Sequence, residues 1–187
     1  MRADARRNRT RILDAARALV AEAGIGVTME DIARRAGVAV GTLYRHFPAK
    51  EDLVAAVVED GTARVAELAE QALEAVDRGA HAGTELAALF RAVAERHATD
   101  RAFKAATGQL DHDLESTIAR AEPDSAADRA MRAITTLLDR ARATGAVRSD
   151  TTLTDLVMLL GSVPGPEVDA GRRARFVEIV LDGLRRP

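Results

Sequence analysis

No cysteine occurs anywhere in the 187 residues. That absence excludes disulfides, thiol nucleophiles and thiolate metal sites, and it fits a reducing cytoplasm, where the chain is expected to work. Tryptophan is missing too, and with one tyrosine and four phenylalanines any local gathering of rings stands out. No apolar run approaches the roughly 20 residues that span a bilayer. The N-terminus MRADARRNRTR has no apolar signal core, so no membrane partner is expected. β-Branched residues form no alternating runs, which removes the pattern of half-buried strands. Nucleophile elbows and glycine-rich phosphate cradles are absent as well. Ser116, Ser125, Ser149 and Ser162 sit in no such turn, so neither an enzyme nor a cofactor is expected.

What is present is alanine, leucine, arginine and glutamate, the residues of an all-α fold. Net charge is −2, but it is unevenly spread. Residues 1–50 hold ten Lys and Arg against five acids, or +5, and the remainder holds 17 against 24, or −7. A basic end on an acidic body is the pattern of a chain that meets a polyanion at one end, or of a solvated basic arm, and charge alone favours neither.

Helical periodicity organises the N-terminal part. Ile12, Ala15, Ala16, Leu19, Val20 and Ala23 recur on one face, with Gly24 read as the C-cap. Thr28 stands before Glu30 and Asp31 as the N-cap of a helix over 29–36, which at about two turns must dock on neighbours to persist. Gly37 permits a reversal, Val40–Phe47 forms a third short helix closed by Pro48, and a long connecting helix runs over 50–76. Further helices are expected over 83–98, 101–107, 110–121, 124–143, 152–162 and 168–185, giving one helical body.

A helix, a glycine turn and a second short helix make a helix-turn-helix, whose second helix lies in a major groove. Leu43 and Phe47 are assigned to the packing side with Ile32, Ala33 and Ala36. Val40, Gly41, Thr42 and Arg45 remain to face outwards: Gly41 for close backbone approach, the Thr42 hydroxyl for phosphate, Arg45 for the O6 and N7 acceptors of guanine. The Tyr44 hydroxyl, the His46 ring and Lys50 suit phosphate oxygens, and Thr28 at the start of the helix over 29–36 joins the set of DNA-binding residues. Arg9 and Arg11, adjoining the first helix, are also placed near the phosphate backbone. His46 has no second ligand at i+4, so a metal is not assigned to it. His97 and His112, with Asp111, Asp113 and Glu115, lack a recognised metal spacing, and a solvated helix start accounts for the acids.

The stretch GVAVGTLYRHFPAKEDL, preceded by TMEDIARRA, closely resembles the DNA-binding region of TetR-family transcriptional repressors. The resemblance covers about residues 8–55, and beyond it only length and helix count agree. It implies an all-α homodimer with a helix-turn-helix DNA-binding domain over 1–52 and a helical ligand-binding and dimerisation domain over 53–187. A small molecule in the second domain would separate the reading heads and release a near-palindromic double-stranded operator. A helix-turn-helix protein without an effector is the alternative. Ala39 and Ala49 depart from the pattern, standing where Ser, Thr or Asn often caps a helix, at about 1 kcal/mol each.

Two further expectations concern the body. Leu153, Leu156, Val157, Leu159 and Leu160, with Phe176, Val177, Ile179, Val180 and Leu184, offer more apolar surface than their own domain needs, and so a homodimer through the last two helices. Apolar residues of 83–143, including Phe90, Phe103 and Met131, are expected to line a pocket that His97, Gln109 and Thr135 would equip with polar groups.

Overall fold

The computed structural model describes residues 2–23, 26–99 and 122–185. Among the described residues there are eight helices and no strand. They are α1 (Arg2–Ala23), α2 (Met29–Ala36), α3 (Val40–His46), α4 (Lys50–Asp77), α5 (Ala82–Thr99), α6 (Ala126–Ala143), α7 (Leu153–Gly161) and α8 (Ala170–Leu184). The all-α expectation holds, and the boundaries of α2 to α8 lie within about two residues of those read from periodicity, the usual scatter of helix ends. The helices expected over 101–107 and 110–121, and the Gly24 cap, lie outside the described residues.

Two cores form. In the head, Ile12, Leu13, Ala15 and Ala16 of α1 meet Met29, Ile32, Ala33 and Ala36 of α2, Leu43 of α3, Phe47, and Leu53 and Val57 of α4. Leu43 and Ile12 are 0% exposed, Ile32 is 2% exposed, and no single helix of the head could bury its apolar face alone. In the body, Val65, Ala66, Ala69 and Ala72 of α4 pack with Leu86, Leu89, Phe90 and Val93 of α5 and Leu137 and Leu138 of α6, joined by Leu156 and Leu181 from α7 and α8. Many of the α4 and α6 contact residues are alanines, so the two axes approach closely.

α4 is therefore common to both cores, and at 28 residues it spans about 42 Å. Between Val57 and Val65 it contributes to neither. That interval holds Gly61 and also Asp60, which pairs with Arg17 of α1 and with Arg64 one turn on. Arg17 is 15% exposed, so this link between α1 and α4 is largely shielded from water. Further along, Arg129 of α6 donates two bonds to Glu70 of α4 (2.8 and 2.7 Å), which holds the Glu70 carboxyl below its ordinary value. Arg140 reaches Asp77 at 2.5 Å.

Truncating Leu43→Ala should cost about 2–5 kcal/mol in urea unfolding, because the site is closed on all sides and cannot collapse. A cost below about 1 kcal/mol would mean that α3 is not anchored by this side chain.

Candidate nucleic-acid interface

The geometry of α3 follows from how α2 ends. Thr28 caps the start of α2, its hydroxyl accepting from the Asp31 amide (3.2 Å) and donating to the Asp31 carboxylate (2.7 Å). That hydroxyl bond is the main cause of a lowered Asp31 carboxyl, and the Arg34 charge adds to it. At the other end Gly37 adopts φ +63, the left-handed region. Gly37 N donates to Arg34 O (3.2 Å) and Val38 N to Ala33 O (3.0 Å), the paired bonds of a Schellman turn. The Gly37 carbonyl in turn accepts from Arg11 Nη2 at 3.2 Å. A Cβ at Gly37 would sit 2.6 Å from that same nitrogen, so the turn needs glycine for its backbone angle and for the space Arg11 occupies.

From this turn α3 leaves with Leu43 buried and the opposite side open. Val40 is 38% and Tyr44 42% exposed, Gly41 and Arg45 are exposed, and Thr42, His46 and Lys50 are half-buried at the margins. A Cβ added to Gly41 would meet nothing within 4 Å. No internal packing therefore requires glycine there, and a glycine inside a helix costs roughly 0.5–1 kcal/mol against alanine. The space it leaves is available only to something outside the chain. Neither Ala39 nor Ala49 makes a side-chain cap bond, as expected of alanine. At α4 the Asp52 carboxylate accepts from Ala49 N (2.9 Å), half of a capping box whose other half alanine cannot supply.

Charge pairing separates structural from open arginines. Arg7 pairs with Asp4, Arg17 with Asp14 and Asp60, Arg34 with Asp31, and Arg35 with Glu22 through two bonds of 2.7 and 3.1 Å. Arg6, Arg9, Arg11 and Arg45 have no acidic partner among the described residues. Arg9 stacks over the Phe47 ring, 5.4 Å from its centre, at a place where α1 passes the end of α3. Sequence reasoning did not find the roles of Arg9 and Arg11 in holding α3, because both contacts join residues far apart in the chain. The structure thus brings Val40, Gly41, Thr42, Tyr44 and Arg45 onto one surface, with His46 and Lys50 beside it. Thr28, though exposed, has its hydroxyl committed to Asp31.

Of the six residues expected to form a ligand site, four are described: Phe90, His97, Met131 and Thr135. Phe90 is buried and lines a cavity of about 620 Å³. His97 is buried with Nδ1 3.1 Å from Leu160 O. Met131 is half-buried. The expectation for Thr135 does not match its position: it is exposed, on the outward face of α6 with Arg132, Thr136 and Asp139 at the i, i+3, i+4, i+7 spacing. Phe103 and Gln109 lie outside the described residues, as do His112 and its acidic neighbours. Among the described residues no three His, Asp or Glu side chains converge to hold a metal. No helix among them is long and apolar enough to cross a membrane.

Comparison with known proteins covers both halves. The family described as "Bacterial regulatory proteins, tetR family" matches residues 12–57, and "Transcriptional regulator SbtR-like, C-terminal domain" matches residues 81–186. The crystal structure of the TetR transcription regulatory protein from Mycobacterium vanbaalenii is 35% identical, with 99% of each chain covered and a TM-score of 0.66. A γ-butyrolactone receptor (ArpA-like protein) is 26% identical over 97% of this chain and 90% of its own, with a TM-score of 0.65. An HTH-type transcriptional regulator of Staphylococcus aureus (strain USA300) is 45% identical over 60 residues, which is 32% of this chain and 32% of that protein. The match thus spans about a third of the length of this curated relative.

Replacing Thr28→Ala should lower stability by about 1 kcal/mol, the usual worth of an N-cap. It should also move the Asp31 carboxyl back up towards its ordinary value, read by the pH dependence of its NMR signal. An Asp31 titration that does not move would show that the Thr28 hydroxyl is not what holds it down.

Proposed function

The chain belongs to the TetR family of bacterial regulatory proteins, and from that premise we propose that it is a transcriptional repressor that binds operator DNA through α3 and releases it when a small molecule occupies the body. The reading is carried by the outward surface of α3, where Gly41 leaves open space and Arg45 has no acidic partner among the described residues. A short helix in the major groove reads base edges with its first turns. Arg45 supplies a fork of donors for guanine, Gly41 lets the helix backbone close on the duplex, and Thr42, Tyr44, His46 and Lys50 hold phosphates on either side. Thr28 acts on DNA indirectly, through the cap that sets the direction of α2. Arg6, Arg9 and Arg11 add cations along the same edge of the head.

Dimerisation runs through α7 and α8. Leu156 and Val177 are buried within the subunit, but Met158 and Ile179 are 52% and 59% exposed, and Leu153, Val157, Leu159, Leu160, Phe176, Val180 and Leu184 are only half-covered. A second copy covers this face and sets two heads on a two-fold axis, which calls for a near-palindromic operator. The proposed domain division near residue 52 falls within the first turn of α4, whose Leu53 and Val57 pack in the core of the head. Regulation of transcription places the protein in the cytoplasm, without enzymatic activity.

Effector response draws support from the γ-butyrolactone receptor of similar fold and from the cavity in the body. Phe90, His97, Phe103, Gln109, Met131 and Thr135 remain the proposed ligand-binding set, with Thr135 the weakest member on account of its exposure. α4 carries the response, because displacement of its body end moves the head. A ligand shifts this equilibrium only by its preference for the non-binding conformation, and operator must weaken ligand binding by the same factor.

Fluorescence anisotropy on a duplex selected from random sequence tests the assignment. Arg45→Ala should reduce discrimination at one base pair by about 1–3 kcal/mol. Tyr44→Phe should weaken all sequences alike. Lys50→Ala should in addition reduce the slope of log affinity against log salt by about one unit. If Arg45→Ala keeps the same preferred sequence, α3 is not the reading element. Gly41→Ala should raise thermal stability slightly and yet weaken binding, an opposition that a purely structural glycine would not produce.

A further inference from the structure

The 620 Å³ cavity of the body has a chemical character that the expected ligand set does not account for. It lies between the N-terminal half of α5, the connection from α6 to α7, and the C-terminal end of α8. Its floor is apolar: Leu86, Phe90, Val147, Leu156, Leu181 and Leu184. Polar positions include Arg91, Arg185 and His81, and no carboxylate is among its described lining residues. In a segment of net −7, from residue 51 onwards, a cavity lined by cations and no acid runs against the local composition.

The two guanidiniums are tied from outside the cavity. Arg91 donates Nε to Glu178 Oε1 (2.6 Å) and Nη2 to Glu178 Oε2 (2.9 Å), and Arg185 donates Nη1 to Asp182 (2.8 Å). Arg91 Nη1 has no partner among the described residues. Glu178 raises the Arg91 guanidinium further above its already high ordinary value, so the cation is permanent. Both partners are about half exposed, at 44% and 49%. An ion pair so open to water contributes little, and one carboxylate can replace another on the guanidinium at small net cost.

We infer that this cavity binds an amphipathic monocarboxylate, its apolar part on the Leu86, Phe90 and Leu181 floor and its carboxylate on Arg91, in competition with Glu178. The volume lies within the range of small-molecule sites; burial of the apolar part supplies most of the affinity, and a carboxylate that displaces Glu178 gains in addition Arg91 Nη1, which Glu178 leaves unbonded. A neutral ligand of the same shape gains the floor but no charge-assisted bond. Because Glu178 lies on α8 beside the exposed Ile179, occupancy removes one of the ties between α5 and a helix of the proposed dimer face, leaving the Arg173–Glu95 pair and the shared core. That this ligand acts on the operator rests on the function proposed above; that it binds does not.

Isothermal titration of the full chain with decanoate, and with decan-1-ol as the neutral counterpart, is the test. Decanoate should bind at least tenfold more tightly. Arg91→Gln should erase that difference, and Glu178→Gln, by freeing the guanidinium, should tighten decanoate several-fold while leaving decan-1-ol unchanged. Equal affinities in the wild type, or a preference for decanoate that survives Arg91→Gln, would overturn the site. Should Arg91→Gln not fold, Glu178→Gln decides alone, an unchanged preference overturning the proposal. Operator anisotropy separates the two readings. Arg91-dependent binding of decanoate that leaves operator affinity unchanged upholds the site and overturns its role as effector site. Release of operator by decanoate that persists in Arg91→Gln overturns the site and leaves the regulatory reading standing.

Discussion

The continuity of α4 is the constraint on which the rest depends. Its backbone hydrogen bonds run unbroken from Lys50 to Asp77, while its side chains serve one core as far as Val57 and another from Val65. An α-helix transmits displacement along its axis because each turn is bonded to the next. The head therefore cannot take an orientation independent of the body unless the interval 58–64 bends or the pairing of Asp60 with Arg17 and Arg64 breaks. Gly61, the one residue of that interval without a side chain, is also where a bend is least costly. The two proposed binding activities thus share a single mechanical element.

Arginine is used in two distinct ways along the chain. In the body it ties helices: Arg129 to Glu70, Arg140 to Asp77, Arg91 to Glu178, each across elements distant in sequence. In the head, arginines with acidic partners orient α1 and α2, whereas Arg9 and Arg11, without one among the described residues, reach the Phe47 ring and the Gly37 carbonyl beside α3. The value of these cations depends on their placement rather than on net charge.

Much of the head was legible because it obeys local rules. Thr28 before two acids, a glycine where the chain needs φ > 0, and alternation of Leu43 and Phe47 with polar neighbours each follow from capping, backbone freedom or helical period. The bonds that steady the head were not legible. Arg11 to the Gly37 carbonyl, Arg17 to Asp60 and Arg9 over Phe47 join residues separated by tens of positions, and no periodicity encodes them. The body shows the same division. Its helices were readable, but the cavity takes its walls from the end of α8 and from Val147 in a connection, so apolar residues of 83–143 alone described only part of it. Thr135 could have been assigned to solvent from sequence, because Ala130, Ala133, Leu137, Leu138 and Ala141 mark the core side of the same helix.

The separation of charge also governs encounter. A molecule with open cations at one end and an acidic body at the other carries a large electric dipole, and two copies related by an axis along that direction reinforce it. Approaching a polyanion, such a particle is turned head-first before any contact forms, and wrong-way collisions are repelled. Productive collisions then make up a larger share of all collisions, and the advantage fades as ionic strength shortens the reach of the field to about 10 Å at 0.1 M salt.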